Sequence, residues 1–440
     1  MRSFRGKQIN SGRLRHGRYG VAVMAPMPAG AFMCRSGRRH EHRCASLFGV
    51  LRRGCSRISG EVCAGWLSRF AGAPDACGMC VALVLFVMGG IAAAPVGAAT
   101  EASIVTLPCP YAIADMQLHT LGNKLLNQQN KIVVLHGVDL PSLEWMNRGD
   151  HIRRSMRVAI MQWHCQIIRI PTSVNRWFGQ APGQSHGGRI YRHIVDQLVR
   201  IAARHHVYVV LDLHWNDMNR TVADIGQHRM PDHTCARYWR SAARRYMDYP
   251  NVFYDLYNEP HGISWITWRD GGICTGETKA TVVTYRAVGM QRLYDVVRHT
   301  GADNIVIIGG ISWAYDEFGV THGYAIAGKN IVYDCHVYPW KSHWKHNFES
   351  AAKRVPLIFD EFGGTGKQLT FGRKVIAFAA AHHISWCSWS FHTQAGPVLI
   401  KNWHYQPSKF GALIKSALQS SDATGHKAAT ADGTGKQSDG

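Results

Sequence analysis

The fold class that this 440-residue sequence predicts is α/β, a closed (β/α)8 TIM barrel. Three observations predict it. Eight short runs of branched apolar residues recur between positions 132 and 387. Amphipathic helical stretches separate them, and the domain of about 300 residues that holds them suits one barrel. Near-continuous apolar strands alternating with helices indicate a parallel sheet. An open doubly wound sheet would carry a Gly-rich phosphate turn after its first strand, and none follows here.

The runs occupy residues 132–135, 166–170, 207–212, 252–256, 305–308, 331–334, 357–359 and 384–387. Between the second and third, residues 190–205 place Ile194, Leu198 and Ile201 at the spacing of a buried helical stripe. The predicted domain covers residues 104–419. Residues 420–440 hold no aromatic or branched apolar side chain and are expected to be a disordered tail. Gly363-Gly364-Thr365-Gly366-Lys367 has the look of a phosphate loop, but Glu361 stands where the leading glycine is required.

Ahead of the domain, Met79–Ala94 is apolar and uncharged, with Arg69 and other basic residues before it and Val96-Gly97-Ala98-Ala99 after it. That describes a signal peptide over 79–99 and a secreted or periplasmic protein. An uncleaved membrane anchor is the alternative, although the run is short of the roughly 20 residues a span needs. Residues 1–78 are basic and Cys-containing without sustained periodicity. They are expected to be a disordered extension or to precede the true translation start.

The net charge of +21 suggests nucleic acid at first sight. Residues 1–98 carry 14 Lys/Arg against 3 Asp/Glu, and the remainder 36 against 26. The downstream excess is spread over helices with no zinc-finger or RNA-binding motif, so no nucleic-acid partner is expected. A solvated basic surface explains it, and an acidic polysaccharide would also suit it. The 12 cysteines divide evenly between the leader and the domain. Cys165, Cys335 and Cys387 fall in strand runs and should be buried thiols. Cys235 and Cys274 flank loops and are the expected disulfide. Cys77 and Cys80 have redox spacing but abut the apolar run with no strand before them. The pairs His205-His206 and His382-His383 cannot share one metal, because adjacent helical residues face apart. No metal and no cofactor are expected.

A barrel of this kind forms its site from polar residues at the C-terminal ends of its strands. Those ends are Arg169; Asp212-Leu213-His214-Trp215; Tyr257-Asn258-Glu259-Pro260; His336-Val337-Tyr338; Asp360-Glu361-Phe362-Gly363; and Trp386 with Trp389. Two glutamates among them fit glycosidic cleavage, which needs a proton for the leaving oxygen and a nucleophile for the anomeric carbon. Glu259 reads as the acid/base and Glu361 as the nucleophile, their environments separating their pKa values. Substrate-binding roles fall to the other strand-end residues. Asn258 can bond the sugar 2-hydroxyl, and His214 other hydroxyls. Tyr338 can donate to the nucleophile and Arg169 can add positive charge beside it, unless it merely pairs with Asp212 or Asp255. His336 can orient the acid/base, and Trp389 offers a flat face for a pyranose. Trp145, Trp177, Trp215, Trp265, Trp268, Trp313, Tyr315, Trp340 and Trp344 lie at or after strand ends. At least three of them should line a groove.

These motifs, in this order, resemble glycoside hydrolase family 5, the cellulase family of clan A. The likeness runs from about residue 118 to 417. It includes Leu121-Gly122-Asn123-Lys124 as a prelude hairpin, Val134-Leu135-His136-Gly137-Val138 as the first strand, and Ile168-Arg169-Ile170-Pro171. Trp386-Cys387-Ser388-Trp389-Ser390 fits the family's strand-eight pattern, with Trp389 at the sugar platform. The resemblance implies a retaining, metal-free hydrolase. The expected activity is endo-hydrolysis of cellulose-like or mixed-linkage β-1,4-glucan by a monomer. A mannanase, xyloglucanase, xylanase or transglycosylase on the same scaffold is the alternative, because fold and catalytic pair do not set the sugar. A carbohydrate-binding protein that has lost catalysis is a third reading, which the intact glutamate pair opposes.

Overall fold

The computed structural model describes residues 107–216, 228–277 and 282–431. The expectations for residues 1–78, for the apolar segment 79–94 and for residues beyond 431 lie outside them. Among the described residues no helix is long and apolar enough to cross a membrane.

Eight parallel strands close into a barrel. A two-stranded hairpin precedes it, β1 (Leu118–Leu121) with β2 (Lys124–Asn127). The barrel strands are β3 (His136–Asp139), β4 (Ile167–Ser173), β5 (Tyr208–Trp215), β6 (Val252–Asp255), β9 (Val306–Gly309), β10 (Ile331–Val337), β11 (Leu357–Phe362) and β12 (Ser385–Ser388). Between β6 and β9 the chain inserts a second hairpin, β7 (Gly271–Glu277) with β8 (Val282–Val288). The crossover helices include α1 (Ile152–Trp163), α2 (Arg189–Arg204), α3 (His233–Tyr246), α4 (Met290–Arg298) and α5 (Leu369–His382), with α6 (Lys409–Ala431) last.

Local chemistry explains these boundaries. The apolar face of α2 buries Tyr191, Ile194, Leu198 and Ala202 while Arg189, His193 and Arg204 are exposed. Helix α3 starts at Asp232, whose carboxylate accepts from the N–H groups of Thr234 and Cys235 and so satisfies orphan donors. Most strands are buried along their whole length, as a parallel sheet covered by helices requires.

Four features differ from expectation. The first strand begins at His136, not Ile132; Ile132 and Val133 instead pair with Leu126 and Leu125 of the prelude hairpin. The hairpin β7–β8 was not anticipated. Cys235 and Cys274 are free buried thiols, and so are Cys165, Cys335 and Cys387. Cys235 faces its own helix cap, its Sγ 3.6 Å from Asp232 Oδ1, while Cys274 sits in the middle of β7. Finally, α6 continues to Ala431, past the expected domain edge at 419. Alanine-rich sequence extends a helix readily once tertiary packing has nucleated it.

Gly137 carries the closure between β3 and β4. A Cβ there would lie 1.7 Å from the carbonyl oxygen of Ile167, its register partner. Gly137→Ala should therefore prevent folding or cost more than about 4 kcal/mol. Gly122→Ala, at φ 58° with nothing within 4 Å of the new methyl, should cost only about 1 kcal/mol. Thermal unfolding followed by circular dichroism checks the pair, and similar midpoints would refute the closure argument.

Candidate active site

The floor of the site is a buried charge network. Arg169, on β4, has no exposed surface. Its guanidinium lies 3.4 Å from Asp139 at the end of β3 and 3.1 Å from Asp212 on β5. It is 2.9 Å from Asp255 on β6 and 3.3 Å from Asp360 on β11. One planar fork thus ties five strands together. Its Nη2 also donates to Asn258 Oδ1 at 2.9 Å, which fixes the flip of that amide.

Four aspartates around one arginine cannot all be ionised. Burial pushes Asp139 and Asp255 well above the usual carboxylate range, and Asp212 up to about 7, with Arg169 only partly opposing it. Asp360 stays ionised: burial would raise it, but Arg169 and hydrogen bonds from Asp334 and His336 hold it far below the normal value. Arg169 was expected to bind substrate. It is enclosed, so it acts on the site through the groups that it holds.

The two glutamates meet above this floor. Glu361, at the end of β11, is 5% exposed, and its Oε1 is 3.9 Å from Arg169. Glu259 follows β6 and is more open, with 27% of its side chain exposed. Its backbone is left-handed, φ 49°, although Pro260 comes next. Such strain persists where the surrounding structure enforces it, and it clusters at active sites. His336 sits between them with no exposed surface. Its Nδ1 is 3.0 Å from Glu259 Oε1 and 2.6 Å from Glu361 Oε2. On the other side, Nε2 is 3.0 Å from Asp334 Oδ2 and 3.2 Å from Asp360 Oδ1. Burial pulls the imidazole's pKa down, but Glu361 and Asp334 outweigh it and hold the ring cationic well above the usual range. For Glu259, burial raises the pKa, yet the hydrogen bond and charge of His336 bring it below the ordinary value. These surroundings therefore do not give Glu259 the raised pKa expected of an acid.

His214 on β5 is 9% exposed and neutral, burial and Arg169 bringing its pKa to about 3. Its Nδ1 lies 2.7 Å from Asp212 Oδ2, which leaves Nε2 to face away from that carboxylate. Trp389 is half-buried and lies parallel to the His214 ring, centroids 5.8 Å apart at 11°. Tyr338, at the end of β10, is buried and stacked on Trp340 at 4.7 Å. Burial and the charge of Glu361 keep its phenol protonated, but no hydrogen bond joins it to Glu361 among the described residues.

The loop aromatics divide. Trp177, Trp268 and Tyr315 are core. Trp177 Nε1 donates to Ser241 and Trp268 Nε1 to the Gly309 carbonyl. Trp265 packs on Trp268, and Trp344 packs among phenylalanines of the outer layer. Trp145 and Trp215 are half-buried neighbours at 6.3 Å, and Trp313 and Trp340 are exposed. Asp139, Asp334, His261 and Lys341 were not anticipated. Asp139 and Asp334 had a visible signal, an aspartate closing an apolar strand run, as at Asp212 and Asp255.

Glu259, His336 and Glu361 present ligand atoms within 4.8 Å of one another, as do Asp334, His336 and Asp360. Both sets depend on His336, whose two ring nitrogens face carboxylates on either side.

A family model for cellulase, glycosyl hydrolase family 5, matches residues 126–395. The chain belongs to glycosyl hydrolase family 5. Within family 5 it is 24% identical over 294 residues to endoglucanase MaCel5A of Microbulbifer sp., covering 62% of this chain and 51% of that protein. It is 22% identical over 293 residues to endoglucanase E-5 of Thermobifida fusca, covering 62% and 55%. The chain thus spans about half the length of the curated relatives it matches. In fold it is similar to the β-glucanase SdGluc5_26A of Saccharophagus degradans, solved in complex with cellotetraose. The TM-score is 0.56 at 20% identity, over 72% of this chain and 98% of that one. Every site residue from Arg169 to Trp389 falls inside the region matched to family 5.

Arg169→Met should destabilise the domain by about 3–5 kcal/mol, because it strands buried carboxylates without a cation. Urea unfolding reads this, and a loss below about 1 kcal/mol would mean that the aspartates are neutral without it. His336 yields a signed pH dependence. Its folded pKa stands above its ordinary 6.5, so its charge stabilises the fold fully below that pH. The contribution then fades as pH climbs through the raised value. The stability gap between wild type and His336→Asn should therefore narrow as pH rises above 6.5. A constant gap would contradict the assignment.

Proposed function

We propose that this family 5 chain is a retaining glycoside hydrolase that cleaves internal β-1,4-glucosidic bonds of cellulose-like or mixed-linkage glucan. The observation that carries the reading is the spacing of the glutamates: an oxygen of Glu259 and one of Glu361 lie within 4.8 Å of each other across His336. Double displacement through a covalent intermediate uses carboxyl groups about 5–5.5 Å apart, whereas inversion leaves about 6.5–9.5 Å for a water.

Glu361 is the nucleophile. It is the more enclosed glutamate, and it faces Arg169 at 3.9 Å and His336 at 2.6 Å. Its oxygen attacks the anomeric carbon as the glycosidic C–O bond breaks and Glu259 gives its proton to the leaving oxygen. Glu259, now a carboxylate, then takes a proton from water. The water oxygen attacks the same carbon and Glu361 leaves, so the configuration is retained. His336 contacts Glu361 more closely than Glu259. Commitment of its N–H to the nucleophile frees Glu259 from the interaction that lowers its pKa, and burial then favours the protonated acid.

Asn258, held by Arg169, and His214 are the polar contacts for the sugar at the cleavage point, and Trp389 is its platform. Trp215 and Trp145 continue the apolar surface on that side. Trp313 and Trp340 lie along the other loops. The endoglucanase relatives and the cellotetraose-bound neighbour favour β-1,4-glucan as the polymer. Export through residues 79–99 belongs to the same reading, and the N-terminal sequence of the mature protein tests it.

Carboxymethyl-cellulose, barley β-glucan, galactomannan, xyloglucan and xylan, followed by viscosity and reducing ends together, test the substrate. A rapid viscosity fall on the first two supports the reading, and preference for any other polymer displaces it. Glu361→Gln should lower kcat by a factor of about 10⁴ or more. Glu259→Gln should lose about 10²–10⁴ on glucan. It should keep the first, glycosyl-transfer step on β-cellobiosyl fluoride, whose leaving group needs no acid. Equal losses on both substrates would reverse the acid assignment.

A further inference from the structure

The loop after β10 holds a lysine that the mechanism above does not use. Lys341 Nζ donates to the Ser312 carbonyl at 2.8 Å. The same ammonium lies 5.5 Å from the ring centroid of Trp313 and 4.9 Å from that of Tyr315. Its backbone N–H donates to the Tyr338 carbonyl at 2.9 Å, and the Tyr315 hydroxyl donates to the Ser342 carbonyl at 2.5 Å. The loops that follow β9 and β10 are therefore joined by two hydrogen bonds, Lys341 to Ser312 and Tyr315 to Ser342.

The stitched segment is held in an unfavourable backbone form. Ser312, Trp313 and Ala314 are consecutive non-glycine residues at φ 61°, 61° and 46°. Left-handed residues of this kind occur singly, and a run of three needs external restraint. The restraint fixes the aim of Trp313. Its N–H donates to the Pro260 carbonyl at 2.9 Å, and its ring lies nearly parallel to His261, 4.8 Å away at 6°. His261 Nδ1 is in turn 2.8 Å from the Glu259 carbonyl. The indole is 48% exposed and registered against the backbone of Glu259 itself.

We propose that Lys341 is a specificity-determining positioning residue for the leaving-group side of the cleft. It pins the 312–314 turn so that Trp313 offers a fixed flat face to the sugar just beyond the cleaved bond. This rests on the glycosidase reading, in which Glu259 protonates the leaving oxygen and the departing sugar lies on the Glu259 side. The cation is close enough to act on Glu259, and more on it than on Glu361. A lysine donor suits the task because its stem can lie along two rings while its ammonium caps a carbonyl that the left-handed turn points outward.

The test compares wild type, Lys341→Met and Lys341→Arg. Kinetics are measured on cellohexaose, which must place sugars on the leaving-group side, and on β-cellobiosyl fluoride, which places none there. Amide hydrogen exchange across residues 311–316 is measured in parallel. Lys341→Met should speed exchange of that segment by about tenfold or more. Its kcat/KM on cellohexaose should fall by about tenfold, mainly through KM, while the fluoride value stays within about twofold. Lys341→Arg, which keeps the charge and a donor, should restore both readouts. Equal loss on the two substrates, or unchanged exchange, overturns the proposal. Wild-type inactivity on both substrates would instead overturn the glycosidase reading and with it the leaving-group role, and exchange alone would still decide whether Lys341 pins the turn.

Discussion

The Arg169 guanidinium is the constraint on which the rest depends. A buried cation with no exposed surface must find its counter-charges inside the barrel, and it finds them at the ends of β3, β5, β6 and β11. Transfer of such groups from water is costly, so a buried ion network is weak evidence for added stability. What it supplies is position. Asn258 and Glu361 both stand within reach of the same planar fork, one by a hydrogen bond and one by charge at 3.9 Å. The network stays tolerable because most of its carboxyls are pushed toward neutrality, leaving Asp360 as the ionised partner.

Strain is placed where that rigid floor can hold it. Glu259 and the turn at 312–314 both occupy left-handed backbone, and both lie in loops directly above strand ends. Neither conformation would survive in a free loop. Pro260 links the two, since its carbonyl accepts the N–H of Trp313. The Glu259 backbone and the exposed Trp313 indole are therefore parts of one braced unit, and movement of either would be felt by the other.

The eight strands were legible because parallel strands buried on both faces are written as unbroken apolar runs, a signal that needs no knowledge of partners. The first was misplaced for a physical reason: residues 132–135 are as apolar as the strand, but Ile132 and Val133 pair with the prelude hairpin, and the barrel ladder starts only where Gly137 allows contact with Ile167. The hairpin β7–β8 left no helix-period signal to contradict, so the pattern of strand and helix passed over it. The strand-end site residues were readable because polar groups closing apolar runs are hard to explain by packing. The loop tryptophans were not separable: Trp177 and Trp313 look alike in sequence, and only the fold decides that one donates to Ser241 in the core while the other faces solvent. Cys235 and Cys274 failed for the same cause, since loop proximity says nothing about where a thiol points. Lys341 was invisible because its importance lies in a carbonyl contributed by another loop.

The position of His336 bears on the acid role proposed for Glu259. An acid that works near neutral pH needs a raised pKa, yet the imidazole that faces Glu259 at 3.0 Å brings its pKa below the ordinary value. The same nitrogen faces Glu361 at 2.6 Å, and one N–H cannot serve both carboxylates fully. A sugar ring entering between the glutamates would shield Glu259 from water and favour the shorter contact to Glu361. Under the proposed mechanism, Glu259 would then lose the contact that brings its pKa down. His336 is itself braced from behind by Asp334 and Asp360, and Asp360 by Arg169. The chain of charge thus runs from the buried floor to the two carboxylates, and the separation of their proposed roles would be a property of that chain more than of either glutamate's own surroundings.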